Sequence, residues 1–432
     1  MAAGRQFLTL DDLSLSGRAV FCRIDLNCPL DGKKQPQLSP RISAHARTVL
    51  DLASMGAKTV LLAHQGRKGD EDFTSLAPHA KLLEGEAAKL ARAEGKKAPH
   101  IRFVDDVCGE NAKTAIRSLK NGEVVLLQNV RYLDDETKFE KNGGKSELVK
   151  NLSPFCDVFV LDAFSCAHRA HASVVGFSKV PCLAGRVMEQ ELEALGKFSR
   201  PKRPVVFVLG GAKPDDSLPI LKAWLEAKKL DYALCGGLLG SLMLLASGRE
   251  LGQTKEFLAK KEALAKLDEA KELLLKHSGK IVLPIDVVVD ADGAPSMLDA
   301  GRLPSPYLIM DIGPATSRHF SSLIRSAGSI VMNGPMGVYE KDEFANGTRS
   351  VLEAIASSGG FSLLGGGHTL SALDKFRIER SNLGYVSLSG KALIEYLSGE
   401  KLPGVEMLQK WGKKGAAKSG AKKAGKRGAG GP

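Results

Sequence analysis

Arginine recurs where apolar runs of strand character end. AVFCRIDLN delivers Arg23, Asp25 and Asn27, and TVLLAHQGR delivers His64 and Arg67. VVLLQNVRY ends in Asn129 and Arg131, and VFVLDAFSCAHR in Asp162, His168 and Arg169. Arg41 follows in SPRISAH, at the head of the first helical pattern. One arginine at a strand end is an ordinary surface residue. Several converging on one edge repel one another unless an anion lies between them, and the planar guanidinium fork matches carboxylate and phosphate oxygens. The set reads as a pocket for a small, highly negative substrate, with His64 and His168 assisting the arginines or simply buried and hydrogen-bonded. His168 and His171 have a spacing that a metal pair on a helix could use, but no cysteine or carboxylate completes a set.

In the second half the same kind of run ends in glycine. VVFVLGGAK gives Gly210 and Gly211, YALCGGLLG gives Gly236 and Gly237, SIVMNGPMG gives Gly334 and Gly337, and FSLLGGGHT gives Gly365, Gly366 and Gly367. Glycine lets backbone N–H groups approach a phosphate, and a following helix start adds the positive end of its dipole. Any one pair is equally a sharp turn; four at successive strand ends suggest a nucleotide pocket. A complete P-loop is absent. Gly390 and Lys391 in YVSLSGKALIEYL begin a helix after a short strand, but Tyr385 stands where the upstream glycine would be. GKS at Gly144, Lys145 and Ser146 likewise has Phe139 at that place.

The elements that must position these residues follow from the alternation itself. Apolar strand, polar or glycine-rich turn, helical pattern: the sequence repeats this along its length, IVLPIDVVV included, which implies parallel sheets covered on both faces. Ligands of such sheets bind beyond the carboxyl ends of the strands. The expected fold is α/β, two doubly wound, Rossmann-like parallel-sheet domains joined by a helix with a hinge. GRVMEQELEALGKFSRPKRP, with apolar Val187, Leu192 and Leu195 and terminal prolines, suits that connector. The expected divisions are a domain over 1–180 for the small anion, the connector over 181–200, a nucleotide domain over 201–386, a C-terminal segment over 387–411 that returns to the first domain, and a disordered basic tail over 412–432. Two binding halves around a connector suggest closure that joins the ligands and excludes water. The reaction class is phosphoryl transfer, which needs positioning and charge neutralisation rather than a nucleophilic side chain.

Bulk properties agree with an enzyme of this kind. The chain has 432 residues, 43% of them hydrophobic, enough for two or three domains. Seven scattered cysteines without a C-x-x-C pair point to reduced thiols and a cytoplasmic setting, with Cys22 and Cys235 as packing residues. No apolar run approaches a membrane span, and the N-terminal MAAGRQFLTLDD turns acidic at once, unlike a leader. The net charge is +12, and seven of the positive charges lie after Trp411 in a Gly- and Ala-rich stretch without acids. Such a tail can add weak, nonspecific, salt-sensitive contacts to nucleic acid, or merely solvate the chain.

At this point the motifs resemble those of the phosphoglycerate kinase family, in order and over nearly the whole chain. RIDLNCP, HQGR, LLQNVRY and DAFSCAHRAHAS resemble the family's anion-binding motifs; GGAKPDD, DIGPAT, MNGPMGVYE and LLGGGHT resemble its nucleotide half, and GGGHT its archaeal-type branch. The resemblance implies reversible transfer between 1,3-bisphosphoglycerate and ADP, giving 3-phosphoglycerate and ATP, with Mg2+. It implies that Asp25, Asn27, Arg41, His64, Arg67, Arg131 and Arg169 bind 3-phosphoglycerate, Arg41 being the catalytic cation. Lys213 would contact the nucleotide phosphates. Gly211, Gly236, Gly237, Asn333, Gly365, Gly366, Gly367, His368 and Thr369 would line the nucleotide site, with Glu340 at the ribose hydroxyls. It also implies that LPGVEMLQKW returns to the first domain.

Three positions depart from the commoner family pattern. Ser217 stands where a second lysine often follows GGAK, and His368 replaces the aspartate that helps hold magnesium, so the metal's protein ligand is left unassigned. The family's glycine run T-G-G-G-A becomes Leu388, Ser389, Gly390, Lys391 and Ala392, losing two glycines and gaining a lysine. The expectation is that Lys391 restores, as a catalytic cation, the charge missing at Ser217. The competing readings are a catalytically impaired kinase fold and a nucleic-acid binder acting through the basic tail.

Overall fold

The computed structural model describes residues 5–427, with side chains described as far as residue 415. The chain forms two compact units, Met1–Leu192 with Lys401–Pro432, and Glu193–Glu400.

In the first unit a six-stranded sheet is built from β1 (Ala19–Arg23), β2 (Lys58–Leu62), β3 (Ile101–Val104), β4 (Val124–Leu127), β5 (Val158–Leu161) and β6 (Cys182–Ala184), in the order β3-β4-β2-β1-β5-β6. Every pairing is parallel. Val20, Phe21 and Cys22 are fully buried, as are Val158, Phe159 and Val160, so the central strands read as continuous apolar runs rather than alternating ones. Helices α1 (Pro40–Ser54), α2 (Ala77–Ala93), α3 (Glu110–Arg117), α4 (Glu147–Leu152) and α5 (Ala172–Val175) connect or flank them. The chain winds outward from β1 to β2 and beyond, then returns to β5 on its other side, so the switch point lies beside β1.

Helix α6 (Arg186–Lys197) spans the point at which the two units part. The second unit repeats the architecture. Its sheet holds β7 (Val205–Leu209), β8 (Tyr232–Cys235) and β9 (Ile281–Val282), then, after an antiparallel insertion of β10 (Asp286–Ala291), β11 (Ala294–Asp299) and β12 (Ile309–Ile312), the strands β13 (Ser329–Asn333), β14 (Phe361–Gly365) and β15 (Tyr385–Val386). The parallel order is β15-β14-β13-β7-β8-β9, and the insertion pairs β11-β10-β12. The helices are α7 (Pro214–Glu226), α8 (Gly237–Ala246), α9 (Gln253–Lys260), α10 (Leu267–His277), α11 (Pro314–Arg325), α12 (Asn346–Ala356), α13 (Gly367–Lys375) and α14 (Lys391–Leu397). The chain closes with α15 (Pro403–Arg427).

Some expectations change here. IVLPIDVVV is not one strand: it breaks into β9 and β10, which belong to different sheets. Pro284 lies at the break, and proline cannot donate to a ladder. Strand β6 belongs to the first sheet, so that unit runs past residue 180. Residues 387–400 stay with the second unit, where α14 packs against α7 and Trp224 Nε1 donates to the carbonyl of Leu397 at 2.6 Å. The return to the first unit begins only at residue 401, and there α15 lies against β6 and α5, with the Gly404 amide donating to the carbonyl of Ala167 at 2.9 Å. Over 412–427 the backbone continues α15 where composition predicts disorder. Alanine and lysine both favour helix, and that propensity offsets the glycines. Residues 428–432 and the side chains after residue 415 lie outside the described residues, and with them most of the tail's charge and the expected nucleic-acid contact. Among the described residues no helix is long and apolar enough to cross a membrane, and all seven cysteines are free and buried.

Candidate active site

The carboxyl ends of β1, β2, β4 and β5 share one edge of the first sheet. Arg23, the last residue of β1, is only 1% exposed. Its Nε donates to Ser173 Oγ at 2.8 Å, its Nη1 to the carbonyl of Ile24, and its Nη2 lies 3.0 Å from His64 Nδ1. Two residues on, Asp25 accepts hydrogen bonds from the Asn27 amide at 3.0 Å and from the Ser165 hydroxyl, with Arg41 Nη1 3.5 Å away. Burial alone would raise the Asp25 carboxyl; Arg41 beside it, with the Ser165 and Asn27 donors, holds it well below the usual carboxylate range. Asn27 Oδ1 accepts from the Gly66 amide at 2.8 Å, which ties the β1 and β2 turns together. Arg41, at the start of α1, also donates to the carbonyl of Asn27 at 3.2 Å. Asn129 caps the turn after β4 by accepting from the Arg131 amide at 3.1 Å, and Arg131 Nη1 donates to the carbonyl of Gly66.

These arginines press on one another. Burial, then the guanidiniums of Arg169 and Arg23, push Arg131 down to about 10, with Arg67 contributing. Burial and the charge of Arg23 keep His64 neutral far below the ordinary imidazole range. Burial, followed by Arg169, Arg23 and Arg131, lowers His171 to about 3. The edge therefore carries more positive charge than its own carboxylates offset, a state an anion would relieve. Arg67 is exposed and Arg169 half-buried, both open to a ligand. His168 and His171, whose spacing a metal pair on a helix could use, do not share a helix: His171 precedes α5, and His168 Nε2 accepts from Arg169 Nε at 3.0 Å. Among the described residues the group able to converge on a metal is Asp25, His64 and Cys166. Arg23 Nη2 already sits 3.0 Å from His64 Nδ1 and 3.8 Å from Cys166 Sγ, so a guanidinium occupies the place a cation would take.

In the second unit the same edge is lined by backbone. A cleft of about 220 Å³ is bordered by Gly211 and Lys213 after β7, Asn333 at the end of β13 and Gly334 after it, Gly366, His368 and Thr369 after β14, and Lys391 after β15. Helices α7 and α13 start at this cleft, so the positive ends of their dipoles face it, and α13 adds its first N–H groups, whereas α7 opens on Pro214, which has none. The turns can be this tight only with glycine. At Gly237, φ is +54° and a Cβ would meet the backbone N of Gly211 at 2.7 Å; at Gly366, φ is +94° and a Cβ would meet Asn333 Oδ1 at 2.8 Å. Thr369 Oγ1 accepts from the Gly334 amide at 2.9 Å and so holds the β13 turn to the start of α13.

Beside this cleft lies a smaller, mostly apolar cavity of about 140 Å³, lined by Leu238, Phe257, Met310 and Val338 among others, with Glu340 and His368 at its polar side. Glu340 Oε1 is 3.5 Å from His368 Nδ1. Lys375 Nζ donates to the carbonyls of Tyr339 at 2.8 Å and Glu340 at 3.0 Å, pinning the loop that carries Glu340. Asp311, in the same wall, is pushed up to about 7 by burial, against hydrogen bonds from the Gly347 and Ile312 amides.

Gly211, Gly237, Asn333, Glu340, Gly366, Gly367, His368 and Thr369, with Lys213 and Lys391, line one or both cavities. Gly236 and Gly365 do not. They are packing glycines: a Cβ at Gly236 would meet Met336 Sδ at 2.6 Å, and at Gly365 Leu393 Cδ2 at 2.2 Å. Ser217 is also absent from the cleft. It is fully buried one turn into α7, and its Oγ has no hydrogen-bond partner among the described residues. Lys391 does border the cleft, with Nζ 3.6 Å from Glu395 Oε1. The sequence reading missed Asp216, which supplies a carboxylate to the cleft, and the apolar wall of the smaller cavity. Asp216 was visible in GGAKPDD, whereas the wall comes from separated segments and left no local signal.

One unit with an arginine-rich edge and another with a glycine-lined, helix-ended cleft define an α/β phosphotransferase. The sequence model described as phosphoglycerate kinase matches residues 10–400. The phosphoglycerate kinase of Methanococcus maripaludis is 40% identical over 418 residues, covering 94% of this chain and 98% of that one. That of Saccharolobus solfataricus is 39% identical, covering 93% and 96%. The crystal structure of phosphoglycerate kinase from Pyrococcus horikoshii superposes with a TM-score of 0.85 at 35% identity, covering 94% of this chain and all of that one. The chain belongs to the phosphoglycerate kinase family.

Proposed function

We propose that this protein transfers a phosphoryl group reversibly between 1,3-bisphosphoglycerate and ADP, giving 3-phosphoglycerate and ATP. The observation that carries the reading is the gathering of arginines at the strand ends of the first unit, with Arg23 and Arg131 buried and Arg41 beside Asp25, where burial and neighbouring guanidiniums push Arg131 down to about 10. A trianionic acid at this edge would relieve it, with Arg67, Arg131 and Arg169 on phosphate or carboxylate oxygens and Asp25, Asn27 and His64 on the remaining polar atoms. Arg41 would neutralise charge on the group in transit. Glycine amides, Lys213 and the starts of α7 and α13 would bind the nucleotide phosphates, Glu340 the ribose, and the apolar cavity the base. Direct in-line transfer would follow closure about α6, the step we assign to the hinge.

The donor set fits Mg2+ in part. Asp216 is the carboxylate lining the phosphate cleft and Asn333 adds an amide oxygen, whereas His368 offers nitrogen, which suits a hard cation poorly. Asp216 would therefore hold the ion together with nucleotide phosphates and water. When bound, the ion neutralises phosphate charge. A cytoplasmic site of action fits the free thiols.

The test is ATP formation by purified protein from 1,3-bisphosphoglycerate, ADP and Mg2+. Turnover is expected. Substrate binding without turnover would favour an impaired kinase fold. Arg169→Ala should weaken 3-phosphoglycerate binding and leave ADP affinity within about twofold; equal loss of both would contradict the assignment of one ligand to each unit.

A further inference from the structure

Helix α1 presents Arg41, His45, Thr48 and Asp51 at the four-, three- and three-residue spacing of a single face. Only Arg41 belongs to the anion-binding edge. Thr48 and Asp51 reach the start of α6, and His45 reaches Asp162, which accepts from the α6 amides. The Arg186 amide donates to Thr48 Oγ1 at 3.0 Å and Arg186 Nε to Asp51 Oδ2 at 2.8 Å. The next two amides of α6, from Val187 and Met188, donate to Asp162 Oδ1 at 2.8 and 3.3 Å. The first turn of α6 is thus capped by side chains from α1 and from the end of β5. Gly185 permits it, because a Cβ there would meet Asp162 Oδ1 at 2.3 Å.

His45 connects this cap to Asp25. The Asp25 amide donates to His45 Nε2 at 3.1 Å, so that nitrogen must present its lone pair. The proton then sits on Nδ1, which donates to Asp162 Oδ2 at 2.7 Å. Asp25, His45 and Asp162 are at most 2% exposed, so water cannot substitute for either bond. The chain of bonds has a fixed polarity, running from the main chain of Asp25 through one tautomer of His45 to a carboxylate whose other oxygen accepts from α6.

We propose that His45 is a positioning residue for the anion-binding edge, and that Asp162, acting through it, fixes the main chain of Asp25 to the first turn of α6. The inference rests on the reading of Asp25 as a substrate-binding residue. Asp162→Asn preserves shape and an oxygen for the α6 amides, but its NH2 group faces His45 Nδ1. The proton is then driven to Nε2, against the N–H of Asp25. His45→Gln keeps the original polarity, an oxygen for the Asp25 amide and an NH2 group for Asp162. His45→Leu removes both bonds.

The experiment uses the full chain and measures KM for 3-phosphoglycerate and for ATP, with the His45 tautomer read by 15N NMR. Asp162→Asn and His45→Leu should each raise KM for 3-phosphoglycerate roughly tenfold, the scale of one buried polar group left unpaired, and leave KM for ATP within about twofold. Asp162→Asn should also move the proton from Nδ1 to Nε2. His45→Gln should restore KM to within about threefold of the parent. Should Asp162→Asn fail to fold, the contrast between His45→Gln and His45→Leu decides the matter. The proposal is overturned if folded His45→Leu keeps the parental KM for 3-phosphoglycerate, or if both KM values rise together. Asp25→Asn is the control: if it leaves KM for 3-phosphoglycerate unchanged, the substrate reading itself fails. If it raises KM while the His45 and Asp162 variants do not, only the positioning role is lost.

Discussion

Replacing Arg23 by methionine tests whether the arginine-rich edge is held by electrostatics or by shape alone. Methionine fills much of the same volume without the charge. It leaves the carbonyls of Ile24 and Leu62 and the Nδ1 of His64 without the donor they share, and deprives Ser173 Oγ of another. Ser173 Oγ in turn donates to the buried Glu136 at 2.5 Å, so the change reaches a carboxyl that burial already pushes up and Arg23 pulls down. Hydrogen bonds to a charged donor contribute about 1.5–3 kcal/mol each and are not additive, and breaking a buried charged network costs about 3–5 kcal/mol in all. For a unit of this size each kcal/mol moves the midpoint by about 2–4 °C, so a fall on the order of 10 °C is expected in the transition of the first unit. Calorimetry of the full chain measures it. A second readout is His64, which burial and then Arg23 hold neutral and which should titrate closer to the ordinary imidazole range in the variant, as followed by NMR. A midpoint within about 2 °C of the parent, or a His64 titration that does not move upward, would refute the reasoning.

Three further outcomes are expected. Gly237→Ala forces a left-handed conformation on alanine and a contact of 2.7 Å with Gly211, so KM for ADP should rise about tenfold or more; KM for 1,3-bisphosphoglycerate should change less than about twofold, and parallel changes would argue against a confined nucleotide cleft. Lys391→Ala should lower kcat by roughly tenfold if its charge reaches the transferred group; a change under about threefold would mark Lys391 as a solvated partner of Glu395. His171 has a folded value of about 3, below its unfolded value near 6.5. The unfolded chain therefore binds the additional proton between these values, and this contribution to stability, complete above about pH 6.5, is lost as pH falls toward 3. His171→Gln should flatten the acid limb of the pH–stability curve by up to about one proton, or 1.4 kcal/mol per pH unit; an unchanged limb would show that His171 protonates freely in the folded state.

The residues that line the two sites were legible because each strand end is local. A buried parallel strand needs a continuous apolar run, and its first polar residues mark where a ligand can reach it; Asp25, His64, Arg131 and Gly211 all follow such runs. The family motifs are legible for the same reason, being short segments around those ends. Spacing could not separate a glycine that faces a ligand from one that makes room for a side chain. Spacing groups Gly236 and Gly365 with the nucleotide-lining glycines, and only the approach of Met336 and Leu393 shows them to be packing positions. Nor could spacing tell that position 217 lies on the buried face of α7, so that a lysine there would have to leave the core to reach the cleft.

Tertiary structure alone decided which distant residues support the strand ends. Arg23 holds His64 across 41 positions, Ser173 joins Arg23 to Glu136, and His45 stands between Asp25 and Asp162. None of these supporting contacts has a periodicity, because a hydrogen bond between elements depends on how sheets and helices pack rather than on distance along the chain. Strand ends and helix starts are properties of a few neighbouring residues and follow from their order. The charge balance of a buried edge is a property of everything packed around it, and only the folded chain sets it.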